Sequence, residues 1–291
     1  MIAVALWRSL RPTHWVKNLV VFAGLIFARH FDRVADVERA CGAFAVFCAL
    51  ASAVYLFNDI RDRESDRAHP EKQKRPIAAG TLPVRAAAVC AVTLAAAGLA
   101  GAAALGRSVL VTAAAYALLN VAYSVVLKRL AIIDVMIVAL GFVLRAVGGA
   151  EAIGVAISPW LIVCTILLAL FLGFGKRRWE LVALGDDAAS HRAALAGYSP
   201  HLLDQLIAVT TASTVVAYAL YTLSADTQAK FGTDQLIWTL PFVLYGVFRY
   251  LYLIHGAHQG GNPTTVLLRD APMLANAILW LIAVLVIITR H

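Results

Sequence analysis

The sequence predicts an all-α, polytopic membrane protein, and three features carry that reading: hydrocarbon content, the length of the apolar runs and their periodicity. Of 291 residues, 61% are apolar and 14% charged, against about 45–50% and about 25% in soluble domains. So little charge cannot cover a water-facing surface, and so much hydrocarbon excludes a disordered chain. The runs reach the roughly 20 residues a helix needs to cross about 30 Å of hydrocarbon. None alternates with period two, and in lipid only helices and closed barrels satisfy their own backbone.

Nine spans follow from runs bounded by charge, Gly or Pro. The first, 15 to 28, is short and has uncertain ends. The second, 39 to 57, enters a charged stretch with no Gly or Pro to stop its helix. The others cover 84 to 104 after Pro83, 108 to 126 up to Lys128, 131 to 149, 159 to 175 up to Lys176, 204 to 223, 235 to 254, and 271 to 289. No small-residue cleavage site follows a compact apolar region at the N-terminus, so the first span is expected to stay. The whole chain, 1–291, reads as one integral-membrane domain.

Lys and Arg in short loops set the orientation. One side holds fifteen: Arg8, Arg11, six in 58 to 83, Lys128, Arg129, four in 176 to 203, and Arg269. The other holds six: Arg29, Arg33, Arg39, Arg107, Lys230 and Arg290. This places the N-terminus in the cytoplasm. The inner loops at 58 to 83 and 176 to 203 exceed the about 12–15 residues beyond which a loop is usually functional or disordered. Cys41, Cys48, Cys90 and Cys164 make no C-x-x-C spacing, so they read as small hydrophobes. The tryptophans read mainly as interfacial anchors.

Span two runs directly into Asn58-Asp59-Ile60-Arg61-Asp62-Arg63-Glu64-Ser65-Asp66. At 100° per residue, Asp59, Asp62 and Asp66 fall within about 60° of one another, with Asn58 close by and Arg61 and Glu64 turned away. Like charges at i, i+4 destabilise a helix by about 0.2–0.5 kcal/mol, unless a cation sits among them. Oxygen-only donors point to magnesium, which uses one or two carboxylates and takes substrate phosphates as further ligands. Lys72, Lys74 and Arg75 follow, and Lys74 and Arg75 suit phosphate oxygens. A solvated helix end with interleaved charge is the plainer alternative for this stretch.

Past span six lie Lys176-Arg177-Arg178 and Glu180. If helical, Lys176 and Arg177 share a face with Glu180, presenting cations to phosphates and a carboxylate to a hydroxyl or metal, as a phosphorylated sugar requires. Arg178 reads best as a membrane anchor. Asp134 and Arg145 lie on one face of span five about 16 Å apart, too far to pair, so each needs another partner. Arg145 suits either a buried phosphate or the joining of helices.

Asn-Asp-x-x-Asp-x-x-x-Asp resembles the first aspartate-rich motif of the UbiA-type intramembrane prenyltransferase superfamily. The likeness covers essentially the whole chain, since members have nine helices and cytoplasmic catalytic loops after helices two and six. The chain departs from the aromatic prenyltransferases at their second aspartate motif. Its own stretch has Gly173-Phe174-Gly175 before the basic cluster, then Asp186-Asp187 without the expected spacing, His191-Arg192 and Tyr198-Ser199-Pro200. G-K-R-x-x-E-L at Gly175 to Leu181, Arg192, Tyr198, R-P-x-x-W-x-K-N at Arg11 to Asn18 and L-R-D at Leu268 to Asp270 resemble the decaprenyl-phosphate phosphoribosyltransferase branch.

That resemblance implies transfer of 5-phosphoribosyl from phosphoribosyl diphosphate to a polyprenyl phosphate, with diphosphate released, on the route to a lipid-linked arabinose donor. It implies Mg2+ on Asn58, Asp59, Asp62 and Asp66, with Asp62, Asp66 and Glu180 as catalytic groups. Lys74, Arg75, Lys176 and Arg177 would hold the diphosphate and 5-phosphate, with Arg192 and Asp134 among the substrate-binding residues. Glu180 and Tyr198 would meet ribose hydroxyls, and Lys17 and Arg145 the acceptor phosphate. The setting is a bacterial inner membrane with the active site facing the cytoplasm. The oligomeric state stays open, a homo-oligomer included, and no nucleic acid is expected. The rivals are prenyl transfer to an aromatic ring on the same fold, and a transporter bundle, for which charge at one face rather than along a midplane pathway is unsuited.

Overall fold

The computed structural model describes residues 2–68, 72–185, 188, 192–256 and 263–290. Among these there is no strand, and eight helices are long and apolar enough to cross a membrane. They are α3 (Val34–Arg61), α5 (Val84–Leu105), α6 (Arg107–Val125), α7 (Ile133–Ala152), α8 (Pro159–Leu184), α9 (Pro200–Leu223), a 3₁₀ turn leading into α11 (Gln235–His255 together) and α13 (Ala271–Arg290). The chain is a multi-pass membrane protein, and these eight coincide with eight of the nine expected spans. Shorter pieces are α1 (Ile2–Leu10), α2 (Ala23–Phe27), α4 (Arg63–Ala68), α10 (Ala225–Phe231) and α12 (Pro263–Arg269).

The expected first span differs. Instead of one α-helix over 15 to 28, a 3₁₀ helix over Pro12–Phe22 leads into α2. The cause is local: Arg11 sits at φ 54°, and Pro12, lacking an N–H, opens a new helix rather than extending α1. This segment docks on α3 through three residues of the R-P-x-x-W-x-K-N motif. Arg11 Nη2 reaches Asp59 at 2.6 Å, Trp15 Nε1 donates to Ser52 Oγ at 3.1 Å, and Asn18 Nδ2 to Cys48 Sγ at 3.1 Å.

Two helices overshoot their apolar runs, and both carry predicted charge. After α3 only Asp62 leaves helical assignment before α4 resumes, and the i to i+4 bonds Asp62 N to Asn58 O and Asp66 N to Asp62 O persist across it. α8 runs on to Leu184, so Lys176, Arg177 and Glu180 stand on a helix. α5 and α6 turn on one residue, Gly106, whose φ of 142° is open only to glycine.

By contact the chain forms two compact units, Met1–Leu127 with Gly141–Ala156, and Lys128–Leu140 with Ile157–His291. The first packs around the middle of α3, where Ala43, Val46, Phe47 and Leu50 meet Ala102, Val109, Ala113 and Tyr116. Small residues permit the approach: a Cβ on Gly148 would lie 2.5 Å from Phe47, and one on Gly149 only 1.9 Å from the carbonyl oxygen of Val21. Because that second obstacle is backbone, Gly149→Ala is expected to destabilise the protein by about 3 kcal/mol or more. A melting curve in detergent indistinguishable from the parent would disprove the contact.

The second unit packs Val135, Phe171, Phe174, Leu203, Ile207, Tyr250 and Ile254. Gly173 and Gly175 draw α8 against Val135 and Tyr250, where a Cβ would lie 2.5 and 2.8 Å away. Lys176 and Arg177 follow immediately, so this packing sets where the basic cluster leaves the apolar interior.

Candidate functional site

Each unit holds one cluster of the predicted residues. In the first, Asp59 and Asp66 are buried and share a cation. Arg75 Nη1 lies 3.1 Å from Asp59 Oδ1 and 2.7 Å from Asp66 Oδ2, and Arg11 adds a second guanidinium to Asp59. Burial lifts the Asp66 carboxyl above its usual range while Arg75 pulls it down. Arg61 reaches the carbonyl of Val125 and Glu64 is exposed, so both point away from the aspartates, as the helical period required. Lys74 is exposed beside Arg75.

The fit to a divalent ion is that of an open site. Among the described residues no three His, Cys, Asp or Glu side chains form a ready cage. Asn58 Oδ1, however, is buried with no hydrogen-bond donor, one turn before Asp62. A buried amide oxygen without a donor is costly and suits a hard cation, as do the neighbouring carboxylates. These donors fit magnesium that takes its remaining ligands from water and phosphate.

In the second unit the charges form a ladder from interior to surface. Asp134, with no exposure, receives Arg177 Nε at 2.7 Å and Arg192 Nη2 at 3.1 Å. Arg177, 5% exposed, also bonds Glu180 at 2.6 Å; Glu180 is 19% exposed and meets Lys176 at 3.6 Å, itself 36% exposed. Three cations face two carboxylates. Tyr198 Oη donates to Asp134 Oδ1 at 2.8 Å and accepts the Ile132 N–H at 2.5 Å. Burial, with the Asp134 charge beside it, pushes the Tyr198 phenol well up, so it stays protonated. Asp186, Asp187 and His191 lie outside the described residues.

Asp134 and Arg145 do not pair. Arg145 lies in the first unit, where its guanidinium donates to Asn18 Oδ1 at 2.7 Å, the Gly141 carbonyl at 2.9 Å and Tyr116 Oη at 2.7 Å, and stacks on Tyr116. It joins the Pro12–Phe22 segment to α6 and α7. Lys17, in the same segment, is half-buried.

Residues 18–265 match the family model described as UbiA prenyltransferase family. The chain belongs to that family. It is 32% identical over 281 residues to the decaprenyl-phosphate phosphoribosyltransferase of Mycobacterium tuberculosis (strain ATCC 25618 / H37Rv), covering 95% of this chain and 92% of the relative. It is 34% identical over 286 residues to the protein of the same name from Corynebacterium glutamicum, covering 95% and 84%. Its fold matches a UbiA homolog from Archaeoglobus fulgidus bound to GPP and Mg2+, with a TM-score of 0.75, 20% identity, and 98% and 99% of the two chains covered.

Sequence reasoning missed the role of Arg11, which brings a second guanidinium to Asp59 beside that of Arg75. The signal was present in R-P-x-x-W-x-K-N, but only the packed 3₁₀ segment shows which acid it serves. The L-R-D motif proves architectural at Asp270, which takes both ends of Arg249 at 3.1 and 2.8 Å and caps α13 through the Met273 N–H. Arg249 holds the Asp270 carboxyl below the usual range. Arg178 pairs with Asp204 on α9.

Proposed function

We propose that the protein transfers 5-phosphoribosyl from phosphoribosyl diphosphate to a polyprenyl phosphate, releasing diphosphate, with the site facing the cytoplasm of a bacterial inner membrane. The observation that carries this reading is the ladder on α8. Where an aromatic prenyltransferase would add a second aspartate motif, the described residues present Lys176, Arg177 and Arg192 around one partly open carboxylate, Glu180. A surplus of guanidinium and ammonium suits a donor that carries a phosphate monoester apart from its diphosphate, a group that a prenyl diphosphate lacks. The relatives' names point the same way.

In this reading Asn58, Asp59, Asp62 and Asp66 are the residues that would hold magnesium, which when bound neutralises charge developing on the diphosphate. Lys74 and Arg75 bind diphosphate oxygens, and Arg75, already bridging Asp59 and Asp66, is oriented for this by its own acids. Lys176, Arg177 and Arg192 hold the 5-phosphate, and Glu180 accepts a ribose hydroxyl. The acceptor monoester has a second pKa of about 6, so it is largely dianionic at neutral pH and needs no general base. Lys17 and Arg145 meet it. Arg145 supports this part because its hydrogen-bond partners are all neutral, leaving a buried positive charge to attract an anion.

Purified protein given labelled phosphoribosyl diphosphate, magnesium and decaprenyl phosphate is expected to move label into lipid with inversion at the anomeric carbon. Activity is expected to vanish with a chelator and return with added magnesium. Label confined to the water phase, with prenyl diphosphate consumed against an aromatic acceptor instead, would overturn the reading in favour of prenyl transfer.

A further inference from the structure

In the second unit one hydroxyl ties a strained turn to the buried end of the charged ladder. Ile132, just before α7, has φ 67°, a left-handed conformation that is a true outlier for a β-branched residue. Its N–H is taken by Tyr198 Oη, and the same hydroxyl donates to Asp134, two residues further on. The approach is tight, for a Cβ on Gly197 would lie 2.8 Å from Ala131 Cβ. The turn is thus held by residues that follow α8 in the chain, and Ile132 itself is 41% exposed.

Burial sorts the ladder. Asp134, Arg177 and Tyr198 lie in the interior, while Glu180, Arg192 and Lys176 open progressively to solvent. We propose that Tyr198 is a positioning residue rather than a ribose contact: by holding Ile132 and Asp134 together it fixes Arg177, and through it the exposed groups that meet the donor's phosphates. This rests on the phosphate-binding role given above to Lys176, Arg177 and Arg192. It differs from a substrate-contact role in one checkable way. Tyr198 acts by holding the turn, so a residue for which left-handed φ carries no strain should relieve the need for it.

The test is calorimetric binding of ribose 5-phosphate, which carries the phosphate assigned to the ladder, to the full-length protein in detergent, which needs no turnover. Tyr198→Phe, which removes both hydrogen bonds of the hydroxyl, is expected to weaken binding by about fivefold to tenfold. Adding Ile132→Gly to that variant is expected to restore binding to within about threefold of the parent, while Ile132→Gly alone binds like the parent. Should Tyr198→Phe fail to fold, the double variant is expected to fold and bind. Unchanged binding in Tyr198→Phe, a loss that Ile132→Gly does not relieve, or no ribose 5-phosphate binding by the folded parent would each overturn the proposal. Failure of phosphoribosyl transfer with this rescue intact would instead count against the donor assigned above.

Discussion

Asp62→Ala is expected to reduce transfer by about three orders of magnitude, because under the proposed metal role the loss of this carboxylate removes several kcal/mol of charge stabilisation. It should leave the fold intact. Asp62 is half-buried at the notch between α3 and α4, beyond the apolar run of span two; substitutions outside the packed core usually change stability by no more than about 0.5 kcal/mol. Asp66→Ala should lose activity as well, but also stability, since Asp66 is buried and anchors Arg75 at 2.7 Å. The pair separates the two duties of the aspartate face. Steady-state transfer assays beside melting curves would show it, and full activity in Asp62→Ala would discard the metal assignment.

Asp134→Asn is expected to cost about 3–5 kcal/mol, the scale for breaking a buried ion pair from one side. The amide would leave Arg177, with 5% exposure, and Arg192 without the carboxylate both now share. Donor binding should fall with stability, since the exposed half of the ladder stands on the buried half. Replacing Arg178, whose partner Asp204 lies outside the ladder, should change neither greatly. Unfolding midpoints and ribose 5-phosphate affinity for the two variants provide the comparison; an Asp134→Asn protein as stable as its parent would contradict the burial on which this rests.

Much of the candidate site was legible because its residues are close in sequence. Asp59, Asp62 and Asp66 could be placed on one face from the helical period alone, and so could Lys176 and Arg177 beside Glu180, since i, i+3 and i, i+4 neighbours meet on any helix. What that period cannot reach is the partner of a buried charge. Asp134 and Arg145 share a face and an expectation of partners, but Arg177, Arg192 and Tyr198 lie 43, 58 and 64 residues from Asp134. Asn18 lies 127 residues from Arg145. The first span differs in helix type: its hydropathy suggested one α-helix, while Pro12 after the left-handed Arg11 starts a 3₁₀ helix over Pro12–Phe22 that leads into α2.

Membrane residence, the places of eight long apolar helices and the two charged faces were determined by the amino-acid sequence alone, because transfer into hydrocarbon and helical geometry act on residues near one another in the chain. Only the tertiary structure decided that Arg75 bridges Asp59 and Asp66, that Asp134 gathers two arginines and a tyrosine, and that Ile132 is held in a strained turn. Those choices depend on which helices pack together. An ion pair buried away from water is selected by the few atoms that reach it, and not by its neighbours in sequence.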